Sequence, residues 1–129
     1  MFTYFRDREV KRGRDKMEVL VIVLNEIDLL DDLLMKFQNN DIRGATIIDS
    51  MGMVRVLANE YGDDVPLFGS LKMMLNENRP FNKTIFTVLP EAKIPIAMQC
   101  VRDVVGDLNR EGVGIMFTLP IGIVEGITK

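Results

Sequence analysis

The sequence contains no histidine and only one cysteine, Cys100, among its 129 residues. Without histidine, Ser-His-Asp and Cys-His catalysis and imidazole acid–base chemistry are excluded, and most transition-metal sites lose a common ligand. A single cysteine excludes an internal disulfide and is typical of a reducing compartment. These absences predict a protein that is not an enzyme and holds no metal, with Cys100 as a core or subsurface thiol.

Long apolar runs and excess basic charge are also missing. No segment approaches the roughly 20 apolar residues that a membrane span needs, and the N-terminus is charged where a signal peptide would be apolar. The sequence pI of about 5.0 disfavours nucleic acid as the main partner, because phosphate binding needs a basic surface. We therefore expect a cytoplasmic protein that neither inserts into a membrane nor binds nucleic acid.

The first sixteen residues differ from the rest in charge. Residues 1–16 contain six basic and three acidic side chains and carry +3, whereas the whole chain carries −3, so residues 17–129 carry −6. Such a segment is either a basic arm for an anionic partner or a solvated extension. We predict a charged N-terminal extension over residues 1–16 and a single domain over residues 17–129.

Two short apolar runs, Met17–Leu24 and Thr84–Leu89, indicate strands that are buried on both faces. Both are rich in β-branched residues and contain stretches that do not alternate with polar residues. An amphipathic helical pattern follows each run. Because two helices can cover only one face of a sheet, the second apolar face needs another cover. This mismatch predicts a closed homo-oligomer, in which either Val21 or Ile22 faces the partner.

The helices that follow the two runs are predicted over residues 27–39 and 93–110. The first helix has Asn25 or Asp28 as a candidate N-cap, and the second ends at Gly112. Turn-forming residues precede each further strand. Those strands are predicted over Gly44–Val54, Val113–Leu119 and Ile121–Ile127.

A long connection separates the second and third strands. Residues 55–82 exceed the length of ordinary connections, which indicates a loop that packs on its own body or contacts a partner. The order of elements is therefore strand, helix, strand, long loop, strand, helix, strand. This order predicts an α+β fold, a ferredoxin-like βαββαβ sandwich with a short extra C-terminal strand and two helices on one face of an antiparallel sheet.

Over roughly Met17–Thr128 the chain resembles the PII (nitrogen-regulatory) signal-transduction proteins. The run Gly44-Ala-Thr-Ile-Ile-Asp-Ser-Met-Gly52 is similar to the family's Gly-x-Thr-Val run, and residues 55–82 are placed like its T-loop. Gly112-Val-Gly-Ile-Met-Phe117 resembles its B-loop, and Ile121–Thr128 is placed like its short C-terminal strand. The resemblance implies a PII-like, ferredoxin-fold domain.

The resemblance also implies a homotrimer with the sheets facing inward and ligand sites in the clefts between subunits. In the family, these clefts bind adenine nucleotides. Glycines would let backbone N–H groups approach phosphate oxygens there. The residues that the resemblance assigns to the ligand site are Gly52, Met53, Gly112, Val113, Gly114 and Ile115.

In the family, the T-loop reports ligand occupancy to a protein target such as a transporter or an enzyme. A loop that is rooted at the ligand cleft can be ordered by the ligand. The corresponding loop of this chain carries apolar and aromatic side chains that are candidates for partner contact. They are Tyr61, Phe68, Met73 and Met74.

The chain departs from the family at charged positions. The B-loop lysine that neutralises phosphate is replaced by Ile115, and the C-terminal arginines correspond to Gly126 and Thr128. We therefore expect a divergent small-molecule-sensing regulatory protein that binds an adenine nucleotide or another small anion, with weak affinity for ATP. The alternative is an amino-acid-binding ACT-like module or another non-catalytic ligand-binding or interaction trimer. Identification of a cleft-bound ligand would separate these hypotheses.

Overall fold

The computed structural model describes residues 16–61 and 81–127 of the chain. Short 3-10 turns, Ile27–Leu29 and Glu91–Lys93, precede two of its helices. Strands and helices alternate along the chain. The elements are β1 (Met17–Leu24), α1 (Leu30–Asn39), β2 (Thr46–Ser50), α2 (Met53–Tyr61), β3 (Asn82–Pro90), α3 (Ile94–Val105) and β4 (Gly114–Pro120).

The four strands form one sheet in the order β2-β3-β1-β4, and every neighbouring pair is antiparallel. Helices α1 and α3 pack against each other over one face of this sheet. The predicted ferredoxin-like α+β sandwich is therefore confirmed. No helix in the described parts of the chain is long and apolar enough to cross a membrane.

Alternation along β1 places every second side chain in the core beneath the helices. Leu20, Ile22 and Leu24 have no exposed surface, and the side chains opposite them on β3 and β4 point to the same face. The helices contribute most of the remaining core, and Ile42 and Val113 contribute to it from the connecting segments. The buried side chains of the helices are Leu33 and Phe37 of α1 and Ile94, Ala97, Cys100, Val101 and Val105 of α3.

The opposite side of the sheet is apolar and uncovered by the two core helices. Val21 is opposite Phe86 on one neighbouring strand and Phe117 on the other, and Phe117 is 41% exposed. β1 is therefore two-sided as predicted, and Val21 rather than Ile22 points away from the helices. We call this surface the helix-free face. Its apolar members are Val19, Val21, Val23, Ile48, Phe86, Val88, Ile115, Phe117 and Leu119.

Two predicted helix ends differ from the structure. The N-cap positions are Glu26 for the 3-10 turn and Leu29 for α1, so the expectation of Asn25 or Asp28 at the N-cap is wrong. Helix α3 ends at Val105 because Gly106 follows with φ +90°, a conformation that glycine adopts without a steric penalty. Gly112 therefore does not end this helix and lies in the turn before β4.

The segment predicted as a long loop begins with helix α2. Met53–Tyr61 contains neither glycine nor proline, and its first turn closes through a bond from the Val56 amide to the Gly52 carbonyl at 3.0 Å. Strand β2 consequently ends at Ser50 instead of Val54. Residues 62–80 of the predicted loop lie outside the described residues, and its last residue, Asn82, is the first residue of β3. Residues 1–15 of the predicted extension also lie outside the described residues.

The short fifth strand predicted over Ile121–Ile127 is absent from the single chain. The Ile121 amide donates to the Met17 carbonyl at 3.3 Å, but no strand pairing continues beyond that bond. Pro120 ends the ladder, and Gly126 has φ +87°, which is far from a strand conformation. Ile123, in the middle of the segment, is 96% exposed.

Cys100 is buried on the inner side of α3, as predicted. Its thiol lies 3.9 Å from the Lys36 carbonyl oxygen, to which it donates a weak hydrogen bond. Burial raises the pKa of the Cys100 thiol, and the nearby Lys36 ammonium opposes this effect only in part. The thiol form is therefore favoured, which is typical of a packing residue.

The core assignment predicts unequal costs for two isoleucine substitutions. Ile22→Ala removes a fully buried side chain and is expected to lower the free energy of unfolding by about 2–5 kcal/mol. Ile123→Ala is the matched control, because its side chain is almost fully exposed, and is expected to change stability by less than about 0.5 kcal/mol. Urea unfolding at one protein concentration measures both. Equal costs would contradict the assigned core.

Candidate functional site

The residues assigned to the ligand site lie at one end of the sheet but in two separate groups. Gly52 and Met53 follow edge strand β2, whereas residues 112–115 lie at the start of the other edge strand, β4. Two strands separate these edges, so the groups lie about 14 Å apart at the usual strand spacing. Within one chain the six residues do not form a single cluster.

The turn before β4 requires glycine at two positions. Gly112 has φ +79°, a left-handed conformation that favours glycine. At Gly114, the first residue of β4, an added Cβ atom would collide with the Val23 carbonyl oxygen, so the chain leaves this turn in close contact with the end of β1. Gly52 has no such requirement, since a Cβ there would meet only the Asn82 side chain, at 4.0 Å. Backbone geometry therefore explains why Gly112 and Gly114 are glycines but does not explain Gly52.

The other assigned residues differ in their access to a ligand. Met53 and Ile115 are exposed, at 75% and 55%, and are available for contact. The Val113 side chain is buried in the core with only 4% exposure, so this residue presents only its backbone to the turn. The Val113 carbonyl accepts a hydrogen bond from the Asn25 amide at 3.4 Å.

Four polar side chains occupy the end of the helix-free face between the two groups, and we call them the polar cluster. The Asn25 side-chain amide donates to the Gly112 carbonyl at 3.0 Å, and the Asn82 amide donates to Asn25 Oδ1 at 3.3 Å. Ser50 donates to Asn82 Oδ1 and lies 2.7 Å from the Thr84 hydroxyl. The cluster therefore reaches from the end of β2 to the turn before β4.

The basic side chain of Lys83, at this end of the sheet, has a carboxylate neighbour, because it is bonded to Asp49 on the adjacent strand. Side-chain amides, hydroxyls and backbone N–H groups are the uncharged donors of the two groups and the polar cluster. Within residues 16–61 and 81–127, no three His, Cys, Asp or Glu side chains are grouped where they could hold a metal ion.

Helix α2 connects the site to the segment assigned to partner contact. It exposes apolar side chains, with Val54 and Val56 each 38% exposed in addition to Met53. Tyr61 is its last residue. The other three residues assigned to partner contact, Phe68, Met73 and Met74, lie outside the described residues.

No family model and no curated protein matches the sequence. The fold matches solved structures. A PII protein of Arabidopsis thaliana, solved bound to citrate, has a TM-score of 0.55 and 15% sequence identity, over 83% of this chain and 78% of its own. A functionally unknown protein from Pediococcus pentosaceus ATCC 25745 has a TM-score of 0.58 and 12% identity, over 88% of this chain and 99% of its own. The chain thus shares the ferredoxin-like fold of a PII protein.

The geometry of the turn predicts that Gly114→Ala is costly. The added methyl group would collide with the Val23 carbonyl, and we expect the free energy of unfolding to fall by about 1–3 kcal/mol. Gly44→Ala is the matched control, because nothing lies within 4 Å of its added Cβ. Thermal and urea unfolding compare the two variants. A neutral Gly114→Ala variant would contradict the close approach of the turn to β1.

Proposed function

We propose that this protein is a small-molecule-sensing regulator of the PII-like type. In this proposal it assembles into a homotrimer through the helix-free face and binds a small anion between subunits. It then signals to a protein target through α2 and residues 62–80. The apolar helix-free face supports the assembly most strongly, because it includes the exposed side chains of Ile48, Ile115, Phe117 and Leu119, and contiguous exposed apolar surface is unusual on a monomeric protein.

The separation of the two groups of site residues supports a ligand site between subunits. A ring of like subunits joins two different edges of each chain, which brings the β2 edge of one copy towards the β4 edge of the next. Gly52 and Met53 would then meet the turn at residues 112–115 of a neighbour. The six residues become one site only in the assembly.

The charge of the site favours a compact anion over a triphosphate. Ile115 and Gly126 stand where the resemblance expects cations, and the nearby Lys83 is paired with Asp49. Amide N–H groups can hold a carboxylate without a cationic partner, although more weakly. Citrate is the anion in the Arabidopsis PII structure and is therefore the first candidate to test here.

The proposed output lies on the segment that follows β2. Helix α2 is rooted at Gly52 and exposes Met53, Val54 and Val56. An anion at its root would bias the position of this helix and of residues 62–80 beyond it. The target is proposed to be a protein such as a transporter or an enzyme, because an apolar helix surface favours protein contact.

The assembly proposal predicts that a charge on the helix-free face separates the subunits. Val21→Asp would place an unpaired carboxylate between Phe86 and Phe117, which costs several kcal/mol in an interface and less in the monomer, where Val21 is only half-buried. Sedimentation velocity is expected to show folded monomers. Met35→Asp on the exposed surface of α1 is the control and is expected to retain the wild-type mass. A Val21→Asp variant with the wild-type mass would contradict this interface.

The ligand proposal predicts a change in anion preference when a cation is restored. The wild type is titrated calorimetrically with citrate, ATP, ADP, cyclic nucleotides and bicarbonate. We expect its affinity for ATP to be at least about a hundredfold lower than that of a site that keeps both cations, since each charge-assisted bond contributes about 1.5–3 kcal/mol. Ile115→Lys is expected to increase ATP affinity about tenfold or more. Met35→Lys adds the same charge away from the site and is the control.

Two outcomes would contradict the ligand proposal. Micromolar ATP affinity in the wild type would show that the substituted cations at positions 115 and 126 are not needed. Absence of binding by every anion would remove the sensing role. An equal gain in ATP affinity from Ile115→Lys and Met35→Lys would show that the added net charge causes the gain, and not the position of the charge at the site.

A further inference from the structure

The polar cluster contains a continuous series of hydrogen bonds between the two groups of site residues. Ser50 donates to Asn82, Asn82 donates to Asn25, and Asn25 donates to the Gly112 carbonyl. A hydroxyl has one proton, so the Thr84 hydroxyl must be the donor to Ser50. All four donors therefore point in the same direction along the series, an arrangement in which each bond polarises the next.

Both ends of this series are tied to the backbone of the site. At the β4 end, Asn25 holds the turn twice, through its side chain to Gly112 and through its backbone amide to Val113. At the β2 end, Ser50 lies two residues before Gly52, whose carbonyl accepts the first hydrogen bond of α2. The Asn82 side chain lies against Gly52 as well.

We propose that Asn25, Ser50 and Asn82 are positioning residues that couple the turn at residues 112–115 to the root of α2 within one subunit. The inference rests on the proposed function, because it assigns to these residues the transmission of ligand occupancy from one group to the other. Loss of one link leaves a part-buried amide without its partner, so the neighbouring link is weakened too. Occupancy of one group then changes the order of the other.

Hydrogen exchange of the ligand-free protein tests the coupling independently of any ligand. Ser50→Ala removes the donor to Asn82 and so interrupts the series, and we expect exchange of the peptide covering residues 110–116 to accelerate about two- to tenfold, the factor that corresponds to one net hydrogen bond. Ser50→Thr retains the hydroxyl and is expected to restore the wild-type rate. Thr84→Val is the matched control, because it removes only the outermost donor and leaves the three bonds from Ser50 to Gly112 in place, so it is expected to accelerate that exchange less than Ser50→Ala does.

Two outcomes of this experiment would overturn the coupling. Faster exchange that is confined to β2 and β3 in Ser50→Ala would show that the bonds act only locally. Equal acceleration at residues 110–116 in Thr84→Val would show a general weakening of the sheet.

A second arm uses citrate as the probe and separates this inference from the proposed function. If citrate binds, the coupling predicts slower exchange of residues 51–57 in the wild type and a loss of that effect in Ser50→Ala. The same citrate effect in both proteins would overturn the transmission role. If no anion binds while the ligand-free coupling is observed, the proposed function fails and the positioning role of these residues stands.

Discussion

The central strand β1 has two apolar faces, but the two core helices cover only one of them. Leu20, Ile22 and Leu24 are sealed beneath α1 and α3, whereas Val21 and its neighbours on β3 and β4 face away. Burial of apolar surface stabilises a fold by about 25 cal/mol per Å², so the second face represents stabilisation that the described part of one chain does not use. The proposed assembly would use it, and the proposed site between subunits depends on that assembly.

The site follows from where the strands end. The carboxyl ends of β1 and β2 and the amino ends of β3 and β4 meet at one end of the sheet. The turn before β4 and the start of α2 therefore lie at the same end. At this end of the sheet, the apolar side chains of the helix-free face are followed by the polar cluster. A polar end on an apolar face is stable because its side chains satisfy one another, and within the described residues no buried side-chain polar atom lacks a hydrogen-bond partner.

The elements that could be predicted from sequence are those with a local signal. The two-sided apolarity of β1 and the periodicity of α1 lie within single segments, and they determine the fold class. Helix ends were harder to predict, because Gly106 and Gly112 both adopt positive φ and are equally plausible stops by composition, and only the structure shows that the helix ends before Gly106. The polar cluster was missed because Asn25 and Asn82 are 57 positions apart, and a short polar residue after a strand also fits a helix cap. The signal that would have found it is the placement of all its members at one end of the sheet.

The claim on which the account depends is that the helix-free face is an interface between copies of this chain. Native mass spectrometry of the unmodified protein, across a dilution series to nanomolar concentration, tests it directly. The account predicts a dominant species of about 44 kDa, three times the 14.7 kDa chain, that persists at micromolar concentration. A single 14.7 kDa species at all concentrations would contradict the account, because no other copy of the chain would then cover the helix-free face.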